Sequence, residues 1–409
     1  MLKDQEYKYM KGMHAILKVV LFIYTRLFSI RSNISPKVKE LNAPYLLVSN
    51  HIGTWDPFVV GYFLSQPIHF VSSDAVFRDR FMRMLLIRMG VIPKKKNIKD
   101  TKVVRTMLST IKNNNCIGLF PEASRSWTGR TMHIDPSTAK LIKLLNVPVV
   151  TAKMKGMQLF NPRWASLLRK TKVIIDFELS LSKDDVAKLS ESEIYEKIKR
   201  ELFHDEVAYQ RKHLIKVFSF HRAEYISYVL FICPECHSIG KITNHRNNFE
   251  CSDCASKWHI NTFSFFEGIG HQSKFDNIID WYDWQFEYFE SFIKQKAEAS
   301  NSAILFSDKN MLVFQENGNG FKRVGKCDMN FFIDRIELNF YNGKQMLLPI
   351  KEIQTLSPQL RERIEMTYDD KAYRILSRKK GVSGLKWELA CNSIWKNEGQ
   401  EYKRSSYFK

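Results

Sequence analysis

Residues 44–57 read as a strand that turns straight into a helix, and this junction points the chain towards a fold in which strands and helices alternate. Pro44-Tyr45-Leu46-Leu47-Val48-Ser49 is an apolar, strand-like run. Asn50-His51-Ile52-Gly53-Thr54-Trp55 follows, and Asp56-Pro57 has the pattern of an N-cap with proline at the first helical position. The turn therefore carries His51, with Asp56 five positions on. An imidazole that titrates near neutrality takes a proton from a hydroxyl. A carboxylate beside it fixes its tautomer and stabilises the imidazolium. No serine or cysteine nucleophile is evident next to the pair, so the hydroxyl it points to is one that a substrate supplies. The same spacing also describes a surface histidine ahead of a capping aspartate.

The alternation continues along the first half of the chain. Strands are expected at 44–49, 68–72, 90–93, 116–120, 148–153 and 172–178, and helices at 57–65, 76–88, 100–113, 137–145 and 187–203. In the third helix Asp100 is the expected cap, with Val103, Val104, Met107, Leu108 and Ile111 at helical spacing. The fold class is α/β, a central sheet covered by helices. His51 and Glu122 both follow strands, and loops at strand ends are where open α/β sheets place their sites.

A second stretch, Gly118-Leu119-Phe120-Pro121-Glu122-Ala123-Ser124-Arg125-Ser126, completes a pattern. Together with Asn50–Asp56 it resembles the glycerol-phosphate and lysophosphatidic acid acyltransferase family, whose signatures are NHx4D and, about seventy residues on, FPEGTRS. Here the second reads FPEASRS, with Ala123 for Gly and Ser124 for Thr. Between them the family carries Gly followed by Phe-Ile-x-Arg. The counterpart is Gly90-Val91-Ile92-Pro93-Lys94, with Lys94 where arginine is usual. A fourth block, Val-Pro-Val/Ile, matches Val147-Pro148-Val149-Val150. The resemblance covers roughly residues 10 to 220. It implies transfer of a fatty acyl group from acyl-CoA or acyl carrier protein to the free hydroxyl of 1-acyl-glycerol-3-phosphate. His51 would be the general base, assisted by Asp56. Arg125, with Ser124 and Lys94, would hold the acceptor phosphate, and Glu122 would organise these groups or the acceptor. The chemistry implies neither a covalent acyl-enzyme nor a catalytic metal. Two alternatives stay open: the same reaction on glycerol-3-phosphate or another lysophospholipid, and a non-catalytic membrane-bound scaffold.

Charge agrees with such substrates. Of the 409 residues, positions 1–232 hold 38 Lys+Arg against 20 Asp+Glu, and the remainder holds 25 against 23. A basic half suits membrane phospholipid, a lysolipid phosphate or the phosphates of coenzyme A. Nucleic acid competes for the same charge and ranks lower, because the acyltransferase blocks already account for it; no nucleic-acid partner is expected. The basic run Lys94-Lys95-Lys96 reads either as a solvated loop or as a phosphate contact. His14 to Ile30 is the most apolar segment, interrupted by Lys18 and Arg26. It is too broken to span a bilayer, which takes about 20 apolar residues. A helix lying in the membrane interface, or one buried in the domain, accounts for it. The resemblance favours the interface and a peripheral protein on the cytoplasmic face of a membrane. The N-terminus shows no signal-peptide pattern.

Cys233-Pro234-Glu235-Cys236 and Cys251-Ser252-Asp253-Cys254 stand fourteen residues apart. Four thiolates at this spacing suit a tetrahedral, closed and therefore structural zinc site, a zinc ribbon. The other three cysteines are scattered, as in a reducing compartment. Ribbon knuckles often carry glycine after the second cysteine; His237 and Ala255 stand there instead. Residues 278–296 place Trp281, Trp284, Tyr288 and Phe292 on one helical stripe, expected to pack on another domain. From 302 the pattern turns to short strands at 303–306, 311–314, 331–333, 336–341 and 345–350. Asn317–Gly320 and Asn342-Gly343 are turn signals, and a last helix is expected over 383–395. A small antiparallel barrel closed by a helix resembles a pleckstrin-homology or GRAM-type module, which binds lipids or proteins. The expected organisation is a membrane-interface helix over 1–30, an acyltransferase domain over 31–230, a zinc ribbon over 231–265, a linker helix over 266–300 and a β-rich domain over 301–409. A protein partner would be held by the ribbon or the β-domain.

Overall fold

The computed structural model describes residues 10–73, 77, 80–94, 101–122, 124–299, 303–318, 320–359 and 363–404. The expected cap Asp100, the residues Lys95, Lys96 and Ala123, and Asn319 of the first turn signal lie outside them. The chain forms two compact units, residues 1–162 with 169–216 and residues 163–168 with 217–409.

The first unit is built on a sheet of seven strands: β1 Ile30–Ile34, β2 Leu46–Ser49, β3 Ile68–Ser73, β4 Ile92–Lys94, β5 Cys116–Leu119, β6 Val149–Lys155 and β7 Val173–Leu181. Their order is β1-β7-β6-β2-β5-β3-β4. β2 to β6 run parallel, while β7 runs against β6 with β1 parallel to β7. All four residues of β2 and of β5 are buried, as expected of central parallel strands covered on both faces. Alternate residues feed opposite cores. Leu47, Val150 and Ala152 join Leu21, Val59 and Val60 from the helices Lys11–Leu27 and Asp56–Tyr62. Leu46, Val48, Ile117 and Val149 join Val103, Met107, Ile142 and Ile198 from helices on the other face.

The α/β class expected from the sequence is observed, with differences in detail. β1 was not expected; only Ile30 is buried in it, so it carries no apolar run. The single helix expected over 187–203 is two, Lys183–Lys188 and Glu191–Leu202. Ser182 with Asp185 and Ser190 with Glu193 each close a capping box that starts a new helix. Glu206–His213 is a further helix. Among the described residues, no helix is long and apolar enough to cross a membrane.

The second unit opens with an antiparallel four-stranded sheet, β8 Ile242–His245, β9 Asn248–Cys251, β10 Lys257–Ile260 and β11 Phe266–Ile269. The helix Ile278–Glu298 follows. Of the expected aromatic stripe, Trp281 is fully buried, whereas Trp284, Tyr288 and Phe292 are half-buried. The β-rich segment has seven antiparallel strands: β12 Phe306–Glu316, β13 Phe321–Phe331, β14 Arg335–Phe340, β15 Gln345–Pro349, β16 Thr355–Pro358, β17 Arg363–Tyr368 and β18 Lys371–Ser377. Their order is β15-β14-β13-β12-β18-β17-β16. The hairpin at Asn342-Gly343 joins β14 to β15, with Gly343 at φ 82°. β16, β17 and β18 were not expected. The last helix is Leu385–Asn397, and it is buried through residues 385–395.

One glycine in the first unit sets the packing beneath the strand ends. A Cβ on Gly118 would stand 2.5 Å from two ring carbons of Phe70 and 2.7 Å from Ile68. Gly118→Ala is therefore expected to destabilise the protein by about 1–3 kcal/mol through overpacking. The check is the denaturant midpoint beside Gly12→Ala, where an added methyl meets nothing within 4 Å. Equal midpoints for the two variants would show that the Phe70 ring moves aside without cost.

Candidate active site

His51 leaves the C-terminal end of β2, and Phe120 leaves that of its parallel neighbour β5. The turn between β2 and the helix Asp56–Tyr62 is anchored from below by Asn50. Its amide is buried, donates to the Met154 carbonyl at 3.0 Å and accepts from the Met154 N–H at 2.8 Å. His51 then projects upward with its side chain 20% exposed.

The His51 ring is held on two sides. Its Nδ1 lies 2.9 Å from Asp56 Oδ2, and its face stacks on Phe120 with centroids 4.3 Å apart. Phe120 in turn stacks on Phe70 at 5.7 Å, the ring that Gly118 admits. Asp56 is 1% exposed, and its Oδ2 also accepts the amides of Ile52 at 2.7 Å and Gly53 at 2.8 Å. The expected reading of Asp56 as a forward cap is thus replaced. It is the first residue of the helix, Trp55 stands at the cap, and the carboxylate reaches back into the turn. Gly53 belongs there because a Cβ would stand 2.9 Å from Asp56 Oδ1.

Glu122 joins the two signature stretches through the backbone. It has no exposed surface, and its two oxygens accept the amides of His51 and Met132, both at 2.7 Å. The Ser126 N–H donates to the His51 carbonyl at 2.8 Å, so the histidine's peptide is gripped from both ends. Glu122, expected near the acceptor, is buried beneath the site and acts on the position of His51. An imidazole oriented by a carboxylate on a partly open turn is built to accept a proton from a hydroxyl and to return it.

Residues 29–155 match the family model described as Acyltransferase. The chain carries an acyltransferase domain. No curated protein matches the sequence. Among solved structures, the 1-acyl-sn-glycerophosphate (LPA) acyltransferase PlsC of Thermotoga maritima is similar at 16% identity. That likeness covers 49% of this chain and 83% of that one, with a TM-score of 0.40. The RAN binding domain of the nuclear pore component NUP2 of Ashbya gossypii is similar at 7% identity over 25% of this chain and 99% of that one, with a TM-score of 0.17.

In the acyltransferase domain the other expected site residues fall at two distances from His51. Arg125 is half-buried and donates from Nη1 to Thr54 Oγ1 at 2.8 Å, which places its guanidinium over the same turn. Ser124 is half-buried beside it, with its N–H on the Glu122 carbonyl at 2.6 Å. Lys94 is exposed at the end of the edge strand β4. β5 and β3 lie between it and β2, roughly 14 Å at the usual strand spacing, so it is not brought to the reacting centre. Phe120 and Asn50 lie within the quoted motifs, but their roles as stacking partner and anchor show only in three dimensions.

In the second unit the Sγ atoms of Cys233, Cys236, Cys251 and Cys254 all lie within 4.8 Å of one another. Cys233–Cys254 and Cys236–Cys251 are 3.6 and 3.7 Å apart, close to the roughly 3.8 Å edge of a tetrahedral zinc–thiolate site. The two knuckles match. His237 N–H donates to the Cys233 carbonyl and Ala255 N–H to the Cys251 carbonyl, and both residues sit at φ 61°. These are the left-handed positions where glycine is the usual choice. The four thiols can hold one metal ion.

Burial pushes the Glu122 carboxyl up to about 8 from its ordinary 4.5, against the pull of its two amide donors. Between those values the folded protein holds a proton that the unfolded chain has released. The stability this group contributes is therefore full below about 4.5 and is lost as pH rises towards 8, with a slope of at most about 1.4 kcal/mol per pH unit. Glu122→Gln is expected to flatten the fall in stability between pH 5 and 8, measured from denaturant midpoints. Parallel profiles would mean that Glu122 is already ionised in the fold.

Proposed function

We propose that the protein transfers a fatty acyl group from a thioester, acyl-CoA or acyl-ACP, to the free hydroxyl of 1-acyl-glycerol-3-phosphate, with His51 as general base. The 2.9 Å contact between His51 Nδ1 and Asp56 Oδ2, inside a match to the acyltransferase family, carries this reading. With the Nδ1 proton directed at Asp56, the Nε2 lone pair is the base. It takes the acceptor's hydroxyl proton as the oxygen attacks the thioester carbonyl. The tetrahedral intermediate collapses, the carbon–sulfur bond breaks, and the imidazolium returns the proton to the departing thiolate. Asp56 stabilises the imidazolium throughout. Arg125, beside Thr54 and with Ser124 next in the chain, is the cation best placed for the acceptor phosphate, because a guanidinium forms two parallel hydrogen bonds to one phosphate.

The acceptor is a lipid, and the helix Lys11–Leu27 supports delivery from a membrane surface. Ile16, Val19, Val20, Phe22, Ile23 and Leu27 are each at least half exposed along it, and it packs beside the helix that begins at Asp56. A peripheral position on the cytoplasmic face of a membrane fits that apolar face and the basic first half of the chain. In the second unit the four cysteines hold a structural zinc ion, and the β-rich segment is a pleckstrin-homology or GRAM-like module.

The test is acceptor-dependent thiol release from palmitoyl-CoA by the purified protein, with lysophosphatidic acid in detergent micelles. His51→Ala is expected to lower turnover by about 10²–10⁴-fold while leaving the thermal midpoint in place. Thiol release that persists in the variant would overturn His51 as the base. Cys251→Ser is expected to lower both the zinc content and the stability of the protein; zinc content equal to the wild type would sink the ribbon assignment.

A further inference from the structure

Within the first unit, the helix Arg80–Arg88 turns apolar side chains both inward and outward. Inward, Leu86 is buried with Phe77 and Val91, and Phe58 and Ile87 pack against them. Phe58 belongs to the helix Asp56–Tyr62, and Trp55 of the catalytic turn lies against its ring with centroids 5.2 Å apart. Outward, Phe81 is 66% exposed and Met84 42%, and Trp55 is 48% exposed. Phe81, Met84 and Arg88 follow one another at three and four residues, which puts them on one stripe of the helix. The end of this helix is tied to Lys11–Leu27. The Met10 N–H donates to the Arg88 carbonyl at 2.9 Å, and Met10, itself exposed, leads into the apolar face of that helix. Both helices pack beside Asp56–Tyr62.

The charge of the same two stretches says what covers the outward side. Residues 80–99 contain seven Lys+Arg and residues 10–39 contain six, and neither stretch holds an Asp or Glu. Arg83 and Arg26 are exposed and Arg88 is half-buried. Among the described residues, no carboxylate pairs with any of the three. Guanidinium groups that no acid of the chain meets, beside apolar side chains in solvent, suit a surface that offers phosphates over hydrocarbon. A protein partner would have to supply acids and apolar cover at matched points, whereas an anionic bilayer supplies both all along the face. The Trp55 indole, apolar in body with one polar edge, fits the same boundary.

We propose that the helix Arg80–Arg88 is a second lipid-contacting element of the first unit. Phe81 and Met84 enter the boundary between headgroups and acyl chains of an anionic membrane, and Arg83 and Arg88 face its phosphates. The turn that carries His51 is then seated on the lipid by this helix as well as by Lys11–Leu27. The inference deepens the reading of a membrane-borne acceptor and rests on it for its purpose, but its readout is binding, not turnover.

The experiment sediments the full chain with vesicles of phosphatidylcholine alone or mixed with phosphatidylglycerol. It compares wild type, Phe81→Ser/Met84→Ser and Arg83→Gln/Arg88→Gln. The serine variant is expected to bind phosphatidylglycerol vesicles about tenfold more weakly or worse, with an unchanged thermal midpoint because both side chains are exposed. The glutamine variant is expected to lose about tenfold of the preference for phosphatidylglycerol and part of its dependence on salt. Phe81→Trp keeps the apolar surface, and the emission it adds over wild type is expected to be quenched by brominated phosphatidylcholine in the mixed vesicles. Thiol release is assayed separately, so vesicle binding without acceptor-dependent release would overturn the acyl-transfer reading and leave this one standing. A wild type that ignores phosphatidylglycerol vesicles, a serine variant that binds them as wild type does, or added emission that stays unquenched on bound protein would overturn the proposal. So would a wild-type dimer that the serine variant converts to monomer, which would assign the face to a second copy of the chain.

Discussion

A single buried carboxylate oxygen holds the site in shape. Oδ2 of Asp56 takes the ring of His51 and the amides of Ile52 and Gly53. Three donors on one oxygen give the carboxylate a hydrogen-bonded place where it would otherwise be costly to bury. A carboxylate at 2.9 Å from Nδ1 favours the ring orientation and the tautomer that present an Nδ1 proton to it. The arrangement also dictates the local sequence. The turn must be tight enough for a carboxylate on the first residue of a helix to reach back four and five residues. It must also omit a Cβ at Gly53, which would crowd Asp56 Oδ1 and come within 3.3 Å of Asn161 Nδ2.

The sheet brings the second half of the site to this turn. β2 and β5 are parallel neighbours, so residues 71 apart in the chain emerge side by side. The Glu122 carboxyl group makes that juxtaposition definite by bridging the amides of His51 and Met132. Beneath it, Gly118 makes room for Phe70, Phe70 stacks on Phe120, and Phe120 stacks on His51. A packing decision inside β5 thus reaches the imidazole through two aromatic contacts. The acidic residue of the second signature stretch works in the same way, through the backbone geometry of His51 and Met132.

The sequence displays the site more openly than the fold around it. His51 and Asp56 stand at a strand-to-helix junction whose apolar run and Asp-Pro step are visible in the chain. The direction in which Asp56 points is not, because capping forward and reaching back use the same residue at the same place. The restart of the helix at Ser190 was written as Ser-x-x-Glu, yet the apolar spacing on either side reads as one continuous helix. β1 is an edge strand with a single buried residue, which leaves no pattern to find. The helix Leu385–Asn397 was expected over 383–395, but the depth of its burial was not. It buries Lys386, Glu388 and Asn392 along with its apolar residues, so no polar face marks it. Lys386 is tolerated there because its ammonium meets Asp308 at 2.7 Å, and the other oxygen of Asp308 accepts the Trp387 indole N–H at 2.7 Å.

The second unit is one body because a single helix supplies core to both of its sheets. Towards the four-stranded sheet, Trp281 of Ile278–Glu298 packs on Trp258 at 5.0 Å and on Phe249 at 5.6 Å, and its indole donates to the Ile232 carbonyl. One turn on, the fully buried Gln285 accepts the amides of Phe231 and Ile232 and donates to the Val229 carbonyl. Another turn on, Phe289 packs on Phe231 at 5.3 Å and on Phe306 of the β-rich segment at 6.0 Å. A four-stranded sheet of four-residue strands has too little apolar surface to stand alone. Here the helix covers it, with Trp281 packed on Trp258 and Phe249. The β-rich segment gains the same helix as a second cover over Phe306 and Trp387. The four-stranded sheet, the helix and the β-rich segment are therefore expected to unfold together, as one compact unit.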